Sequence, residues 1–405
     1  MSSRRPLDAG DRFRRTPWSP AGPGSASRTR RGRRRLWPLS LLAVGALVVA
    51  ATATFLPHSS ADAEAPLVDP GPVGEVGLAG PAAAPGSGGK AGTRQSPVTS
   101  APGRVGAERA AAGAAVSDTL RVAGNKLVDT CGQPFLVRGA ETFLGLGIDI
   151  GGSRVRVVEE MVSSGVNAVR LIPNVNQLSV NEVDRFLATA AAAKVVVFLT
   201  PNGGRSWFKR SDVKTMLNKH KKWLIIDAYG EAPYDDRNRW QNDVQTAIRD
   251  IRSAGYTVPL TVLSNMYGRD LPALFERGAA IEATDPLRNT VLGWQAYWGR
   301  SGWYQGRYGM SLTEGIRRSS QQSFPIQIGI DHFADPGEPM DYPAAMSAAQ
   351  RYNVGWLWWD WYNPFGRTDN LTADGTAERL TDVGDEVITE HSAGVRATAR
   401  KACGL

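Results

Sequence analysis

Residues 166–200 read VNAVRLIPNVNQLSVNEVDRFLATAAAAKVVVFLT, and their pattern sets the fold expected for most of the chain. Two short runs rich in β-branched residues, 166–172 and 195–200, flank a stretch with helix-type apolar spacing at 183–192. A strand, a helix and a second strand in this order are typical of a parallel sheet, because parallel strands need a long crossover connection.

The same alternation continues from residue 118 to the end of the chain. Further segments with helical spacing include 155–162, 240–251 and 343–349. Eight strands are predicted, over residues 135–139, 166–172, 195–200, 223–229, 258–264, 289–296, 325–330 and 354–360. Eight strand–helix units in about 288 residues fit a closed (β/α)8 TIM barrel of the α/β class. A doubly wound open sheet is the alternative, although no glycine-rich phosphate loop follows the first strand.

The positive charge of the chain is confined to its first residues. Residues 1–35 carry eleven arginines and two aspartates, a net charge of +9, whereas the whole chain has +8. The remainder therefore sums to −1, and no nucleic-acid partner is expected for the folded part. Residues 1–35 are predicted to be a basic cytoplasmic tail.

Residues 36–56, LWPLSLLAVGALVVAATATFL, carry no charged side chain. At about 1.5 Å per residue such a helix can cross a bilayer core of about 30 Å. Because Arg33, Arg34 and Arg35 precede it directly, the positive-inside rule keeps the N-terminus in the cytoplasm. An uncleaved signal-anchor is predicted, with the rest of the chain outside the cell membrane. The alternative is a signal peptide cleaved near 61–63, which would give a secreted protein.

Residues 57–117 contain no Phe, Trp or Tyr and are rich in Ala, Gly, Pro and Ser. Such a segment cannot bury enough apolar area to offset its ordering entropy, so a disordered linker is predicted. The barrel domain is then expected over 118–405.

Functional side chains of TIM barrels lie at the C-terminal ends of the strands. In the predicted strands these ends carry Arg170, Asp227, Glu231, Gln295, Tyr297 and Asp331. Tryptophans are dense after residue 290, and Trp298, Trp359 and Trp361 are expected to stack on sugar rings, with core packing as the alternative.

The order of several motifs resembles glycoside hydrolase family 5, the cellulase and β-mannanase family, over nearly all of 118–405. These motifs are LVDTCGQPFLVRGAE (127–141), GVNAVRLI (165–172), WLIIDAYGEAPY (223–234), FPIQIGIDHF (324–333) and GWLWWDWYNP (355–364). The resemblance implies hydrolysis of β-linked polysaccharide with retention, by two carboxylates about 5–5.5 Å apart. It also implies substrate contacts for Arg170, Tyr297 and an aromatic residue at Trp359 or Trp361. Gln295, at a strand end, is likewise expected to contact substrate.

The catalytic positions implied by this resemblance are only partly kept. Glu231 falls at the acid/base position, but the Gly-Glu pair expected for the nucleophile is Gly329-Ile330. Because adjacent strand residues face opposite sides, Asp331 is expected to point away from the site unless a bulge re-aims it. Asp331 and Asp227 are therefore the weaker candidates for the second carboxylate, and Ile330→Glu would be expected to restore part of the activity. Pro201 and Gln295 occupy positions implied for histidines.

Two functions remain open, a glycoside hydrolase and a catalytically degenerate barrel that binds polysaccharide without cleaving it. No cofactor is expected, and no metal site is expected because His332, the histidine nearest the predicted site, lacks suitable partners. Cys131 and Cys403 lie near the two ends of the predicted domain and are expected to form a disulfide in an oxidising compartment. A monomer is expected.

Overall fold

A computed structural model describes residues 117–145, 147–233, 236–300, 302–331, 333–334, 338–364 and 370–403. The predicted tail (1–35), membrane span (36–56) and nearly all of the linker (57–117) lie outside these residues. Among the helices of the described part, none is both long and apolar enough to cross a membrane.

Eight parallel strands close into a barrel, so the predicted barrel architecture is confirmed and the open sheet is excluded. An antiparallel hairpin precedes the barrel, β1 (Arg121–Ala123) and β2 (Lys126–Val128). The barrel strands are β3 (Arg138–Leu144), β4 (Ala168–Pro173), β5 (Val196–Leu199), β6 (Leu224–Tyr229), β7 (Leu260–Leu263), β8 (Thr290–Gln295), β9 (Ile326–Ile330) and β12 (Gly355–Trp358). Two short antiparallel strands, β10 (Phe333–Ala334) and β11 (Glu338–Pro339), lie between β9 and β12.

Helices follow most barrel strands and form the outer layer. They are α1 (Arg154–Ser163), α2 (Val180–Ala192), α3 (Ser211–Lys219), α4 (Arg237–Ser253), α5 (Leu271–Thr284), α6 (Trp303–Tyr308), α7 (Leu312–Ser319), α8 (Tyr342–Arg351), α9 (Asp382–Asp385) and α10 (Val395–Thr398). Short 3₁₀ turns cover Arg205–Lys209 and Lys221–Trp223, and one π turn covers Glu386–Glu390.

Local sequence explains the boundaries of α2. The Ser179 side chain accepts a hydrogen bond from the Glu182 amide, and the Glu182 carboxylate accepts one from the Ser179 amide. This capping box satisfies two amides that the helix itself leaves unpaired. The apolar face of the helix, including Phe186 and Leu187, is buried against the barrel.

The first barrel strand differs from the predicted one. The sequence predicts a strand that ends at Gly139, whereas β3 begins at Arg138 and continues to Leu144. A buried glutamate in the middle of a strand is costly unless its charge is compensated. Here Arg170 of the neighbouring strand compensates Glu141, which the sequence pattern alone does not reveal.

The N-terminal end of the barrel is closed by an apolar plug. Inward-facing residues of several strands, including Val196, Phe198 and Leu357, pack with Leu120 and Leu127 of the hairpin region. This end is filled with side chains, so the polar part of the barrel interior lies toward the opposite, C-terminal end of the strands.

The predicted disulfide is confirmed. Cys131 and Cys403 are bonded with their Cα atoms 5.8 Å apart. Asp129 holds the two segments together, because its carboxylate accepts hydrogen bonds from the amides of Cys131 at 3.0 Å and Cys403 at 2.8 Å. The bond joins the start of the barrel domain to its end.

Removal of the disulfide is expected to lower stability substantially. The two cysteines are 272 residues apart, so the bond restricts a long loop of the unfolded chain. We expect Cys131→Ser/Cys403→Ser to lower the free energy of unfolding by about 2–5 kcal/mol in urea denaturation. Dithiothreitol should lower the midpoint of the wild type and leave that of the double variant unchanged. Equal midpoints for wild type and double variant would contradict this role.

Candidate active site

An ion-pair network forms the floor of the site inside the barrel. Arg170 of β4 donates to Glu141 of β3 at 3.1 Å and to Asp227 of β6 at 2.6 Å. Its Nε donates to the Thr200 hydroxyl at 2.8 Å, and this hydroxyl donates to Asp227 at 3.0 Å. All three nitrogens of the guanidinium thus engage protein groups. Arg170, predicted to contact substrate, supports the site from below.

The network shifts the pKa values of Glu141 and Arg170. Burial raises the pKa of Glu141 to about 7; Arg170 opposes this rise, while the charges of Glu231 and Asp227 add to it. Burial alone would lower the pKa of Arg170, but the charges of Glu141 and Asp227 raise it above its ordinary value. When both carboxylates are ionised, one guanidinium cannot neutralise them, which adds to the tendency of Glu141 to hold a proton.

Glu141 should therefore make stability fall with rising pH. Its folded-state pKa of about 7 lies above the ordinary value of 4.5, so the folded protein keeps a proton that the unfolded chain releases. The contribution is fully present below about pH 4.5 and is lost as pH rises to about 7. We expect Glu141→Gln to make the free energy of unfolding less dependent on pH in this window, measured by urea denaturation.

Glu182→Gln provides the control for this measurement. The Ser179 backbone and side chain lower the pKa of Glu182, so its contribution has the opposite sign and is lost as pH falls. A Glu141→Gln curve with the wild-type slope between about pH 4.5 and 7 would show that Glu141 does not titrate there.

Glu231 lies above this floor, just beyond the end of β6, and is solvent-exposed. The side-chain amide of Gln295, at the end of β8, donates a hydrogen bond to its carboxylate. The Gln295 side chain packs closely against the backbone of Gly268 and Gly329. A Cβ atom added at either glycine would lie within 3.4 Å of this side chain, so it has little room to move. The structure thus brings Glu231 and Gln295 together as the sequence suggests, with Gln295 orienting the carboxylate.

The register of β9 decides which residue after Gly329 faces the site. Gln295 pairs with Gly329, and both line the barrel interior. Trp358 pairs with Ile330 and packs edge-on against Tyr342 of α8, with ring centroids 5.2 Å apart. Because paired residues of neighbouring strands face the same side of the sheet, Ile330 faces the helix layer, where it is fully buried.

Asp331 consequently lies on the site-facing side. It is two positions beyond the inward-facing Gly329, and it is 3% exposed. The expectation that Asp331 points away, with Ile330 in the nucleophile position, is wrong. Matching Gly329-Ile330 to the Gly-Glu pair of the family placed the inward position one residue too early.

Tyr297 is buried within electrostatic reach of three carboxylates of the site. Burial raises its pKa well above the ordinary value, and the charges of Glu141, Asp331 and Glu231 raise it further. Its hydroxyl lies close to Gly329, since a Cβ atom added to this glycine would be 3.2 Å from the hydroxyl oxygen. Within the described residues this buried hydroxyl has no hydrogen-bond partner, so it can donate to a bound sugar or to a repositioned carboxylate.

Asp227, the other candidate for the second carboxylate, is held by hydrogen bonds within the ion-pair network of the floor. One of its oxygens accepts from Arg170 and Thr200, and the other accepts from the Tyr229 amide at 3.2 Å. A β-bulge between Asp227 and Tyr229 also breaks the simple strand alternation expected between Asp227 and Glu231. Both carboxylate oxygens of Asp227 are therefore engaged within the floor.

Two of the three tryptophans predicted to bind substrate are core residues. Trp298 is 1% exposed and stacks on Tyr304, and Trp361 is fully buried with its indole donating to the Gly375 carbonyl. Their predicted stacking on sugar rings is wrong. Trp359 is half-buried above the barrel and packs edge-on against Phe143 at 5.3 Å.

Sequence reasoning missed Glu141 and Thr200. The signal that could have marked Glu141 is an acidic residue between the small pair Gly139-Ala140 and the apolar pair Phe143-Leu144. No comparable signal marks Thr200, since threonine is common in strands. In the described part of the chain, no three His, Cys, Asp or Glu residues group as metal ligands would. His332 lies outside that part.

The turn after β7 carries unusual backbone conformations beside the site. Met266 and Tyr267, with φ of 52° and 54°, both occupy the left-handed region. Each such non-glycine residue costs about 1–3 kcal/mol, and such strain tends to cluster at functional sites. The Tyr267 amide donates to the Ala232 carbonyl at 2.7 Å, which ties this turn to the segment that carries Glu231.

Comparison with known proteins places these features in context. No family model matches the chain. The mannan endo-1,4-β-mannosidase of Salipaludibacillus agaradhaerens is 24% identical over 285 residues, 66% of this chain and 90% of that protein. The mannan endo-1,4-β-mannosidase of Cellvibrio japonicus (strain Ueda107) is 23% identical over 309 residues, 69% of this chain and 68% of that protein.

A solved structure shares the barrel fold. The β-mannanase of Streptomyces thermolilacinus, crystallised with mannohexaose, aligns with a TM-score of 0.60 at 17% identity, over 70% of this chain and 97% of that one. Together with the two relatives, it confirms that this chain resembles glycoside hydrolase family 5, the cellulase and β-mannanase family.

Proposed function

We propose that the protein is a glycoside hydrolase that cleaves β-linked polysaccharide of the mannan or cellulose type, with Glu231 as acid/base and Asp331 as second carboxylate. The observation that carries the proposal is the inward placement of Asp331, whose charge acts on the same tyrosine as that of Glu231. The similarity to mannan endo-1,4-β-mannosidases supports the substrate class.

The chemistry assigns each group a step. Glu231 is at the exposed end of the site, where it can protonate the leaving glycosidic oxygen as the bond to the anomeric carbon breaks. Asp331 attacks that carbon and forms a glycosyl ester, which water deprotonated by Glu231 then hydrolyses. Tyr297 can donate its hydroxyl hydrogen to Asp331 and orient it. No cofactor takes part in this scheme.

A polysaccharide-binding barrel without hydrolysis is the second candidate. The observation that favours it is the loss of both histidines implied by the family resemblance, with Pro201 and Gln295 in their places. Gln295 retains a hydrogen bond to Glu231, although an amide cannot exchange a proton with it near neutral pH.

Reducing-sugar release from β-mannan, cellulose and mixed β-glucan separates the two candidates. Under the proposed function the wild type releases sugar from at least one polymer, and Glu231→Gln releases none while still binding that polymer in affinity electrophoresis. Binding by both proteins without release by either would establish the degenerate barrel.

The proposed location is outside the cell membrane, with a monomer tethered through residues 36–56. The disulfide between Cys131 and Cys403 supports this location, because such bonds persist in oxidising compartments. A cleaved helix would leave the same domain secreted, still with access to extracellular polysaccharide.

A further inference from the structure

The two ends of the barrel carry opposite charge. Residues 118–405 contain equal numbers of basic and acidic residues, 32 of each, so the domain as a whole is neutral. The segments that leave the barrel strands at the site end contain seven basic and thirteen acidic residues, a net charge of −6. These segments are residues 145–153, 174–179, 200–210, 230–236, 264–270, 296–302, 331–341 and 359–381.

The opposite end of the barrel is positive. The segments that lead into the barrel strands, together with the C-terminal segment, contain eight basic and three acidic residues, a net charge of +5. These segments are residues 118–137, 164–167, 193–195, 220–223, 254–259, 285–289, 320–325, 352–354 and 399–405. We call the surface that they form the basic face.

Several cations on and beside the basic face are directed at solvent. Lys126 lies in the hairpin, Lys194 lies two residues before β5, and Arg351 ends α8, and all three are exposed. Lys214 of α3 is exposed as well and lines a cleft beside the first residue of β6. Among the described residues, no carboxylate pairs with any of these four cations. Their charge is therefore available to an anionic surface.

The three acids of the basic face are engaged within the domain. Asp285 pairs with Arg252 at 2.7 Å, and Asp118 pairs with Lys221. Asp129 is 5% exposed and accepts hydrogen bonds from the backbone amides of the disulfide. These acids consequently do little to screen the exposed cations.

An exposed apolar side chain lies on the same face. Leu287 is 49% exposed and is one of three large apolar side chains that are exposed in the described part of the chain. It lies between α5 and β8, next to Arg288. Helix C-termini attract cations, but they give no reason to expose a leucine. An apolar side chain flanked by cations is suited to the interface of a bilayer with anionic headgroups.

The chain enters the domain at this face. The Ser117 amide donates to the Thr130 carbonyl at 3.2 Å, and the Thr130 hydroxyl donates to the Cys403 carbonyl at 2.8 Å. Residues 1–116, which include the predicted span, therefore join the domain beside the basic face. A tether at this point raises the effective concentration of a membrane next to the exposed cations, so a weak attraction is enough to hold them there.

We propose that the basic face docks the domain onto a bilayer surface that contains anionic lipid headgroups, with the site facing away from the membrane. The proposal rests on the proposed location, since residues 36–56 would hold the domain near that bilayer. Headgroup phosphates attract the basic face and repel the negative segments of the site end, so both ends of the barrel favour the same orientation. The cleft is then open to polysaccharide from outside.

Lysine labelling of the full-length protein in lipid nanodiscs tests the docking. The nanodiscs contain phosphatidylcholine alone or with about 30% phosphatidylglycerol, an amine-reactive acetylating reagent modifies exposed lysines, and mass spectrometry gives a rate for each lysine. We expect the rates of Lys126, Lys194 and Lys214 to fall about threefold or more in the anionic nanodiscs and to recover at about 0.5 M NaCl. Lys209, at the site end with 59% of its side chain exposed, is the internal control and should react equally in both.

Variants assign the protection to the basic face. The docking variant combines Lys126→Gln, Lys194→Gln and Arg351→Gln, and it should lose most of the protection of Lys214. The control variant removes the same charge from exposed positions toward the site end and should keep that protection. Its substitutions are Arg156→Gln, Arg210→Gln and Arg379→Gln.

The outcomes separate docking from the tether on which it rests. Coelution of the protein with the nanodiscs reports insertion, and failure to insert into either kind would overturn both proposals. Insertion with equal labelling rates in the two kinds, or with undiminished protection in the docking variant, would overturn the docking and leave the location intact. Protection of the same lysines by dissolved heparin, and not by anionic nanodiscs, would assign the basic face to a soluble polyanion instead.

Discussion

Asp331→Asn is expected to lower kcat on β-linked polysaccharide by about a thousandfold or more, because an amide cannot form the covalent glycosyl intermediate. The substitution nearly preserves the size and shape of the side chain, so substrate binding should change little. Reducing-sugar release at saturating polymer gives kcat, and affinity electrophoresis gives binding. Retention of near wild-type kcat would show that Asp331 has no part in the chemistry.

Substitutions at Ile330 test the same assignment from the neighbouring position. Ile330→Val should leave kcat within about twofold, since the side chain packs in the helix layer and not in the site. The substitution should lower the free energy of unfolding by only about 0.5–1.5 kcal/mol. Ile330→Glu should destabilise the fold by placing a carboxylate in that layer, with no gain in activity. A gain in activity from Ile330→Glu would restore the original expectation that position 330 faces the site.

The largest expected effect on stability is that of Arg170→Met. Removal of the guanidinium leaves Glu141 and Asp227 as uncompensated buried carboxylates, and such losses cost about 3–5 kcal/mol. Urea denaturation at neutral pH should show this loss, and lower pH should reduce it as the carboxylates take up protons. Arg249→Met, on an exposed helix face, should change stability by less than about 0.5 kcal/mol.

A compensating variant distinguishes lost charge pairing from lost packing. Adding Glu141→Gln and Asp227→Asn to Arg170→Met removes the buried charges and should recover part of the lost stability. If the triple variant is no more stable than Arg170→Met, then packing around the guanidinium, and not its charge, holds the floor together.

The barrel was predictable because its signals are local and repeated. Runs of β-branched residues alternate with helical spacing along the chain, and seven of the eight strands lie within the predicted ranges or extend them by one residue. The exception is β3, where Gly139 and Glu141 resemble a strand end in the sequence. The partner that makes Glu141 tolerable, Arg170, lies 29 residues away in the chain.

The site was predictable in part, because composition and spacing locate strand ends but do not fix which side chains point inward. Glu231, Gln295 and Tyr297 were recognised from their positions after strands. The orientation of Asp331 depends on the pairing register of β9 with its two neighbours, which no single strand encodes. The burial of Trp298 likewise depends on packing against Tyr304 of α6, and that of Trp361 on the segment around Gly375, whose carbonyl accepts its indole hydrogen.

Glu231 and Asp331 are proposed to act as one catalytic pair, and a double-mutant cycle tests this pairing most directly. The measurement is kcat for reducing-sugar release from β-mannan by the wild type, Glu231→Gln, Asp331→Asn and the double variant. Because residues that act in one step are strongly non-additive, the double variant should be about as impaired as the more impaired single variant. Losses that multiply in the double variant, or an Asp331→Asn protein as active as the wild type, would contradict the claim.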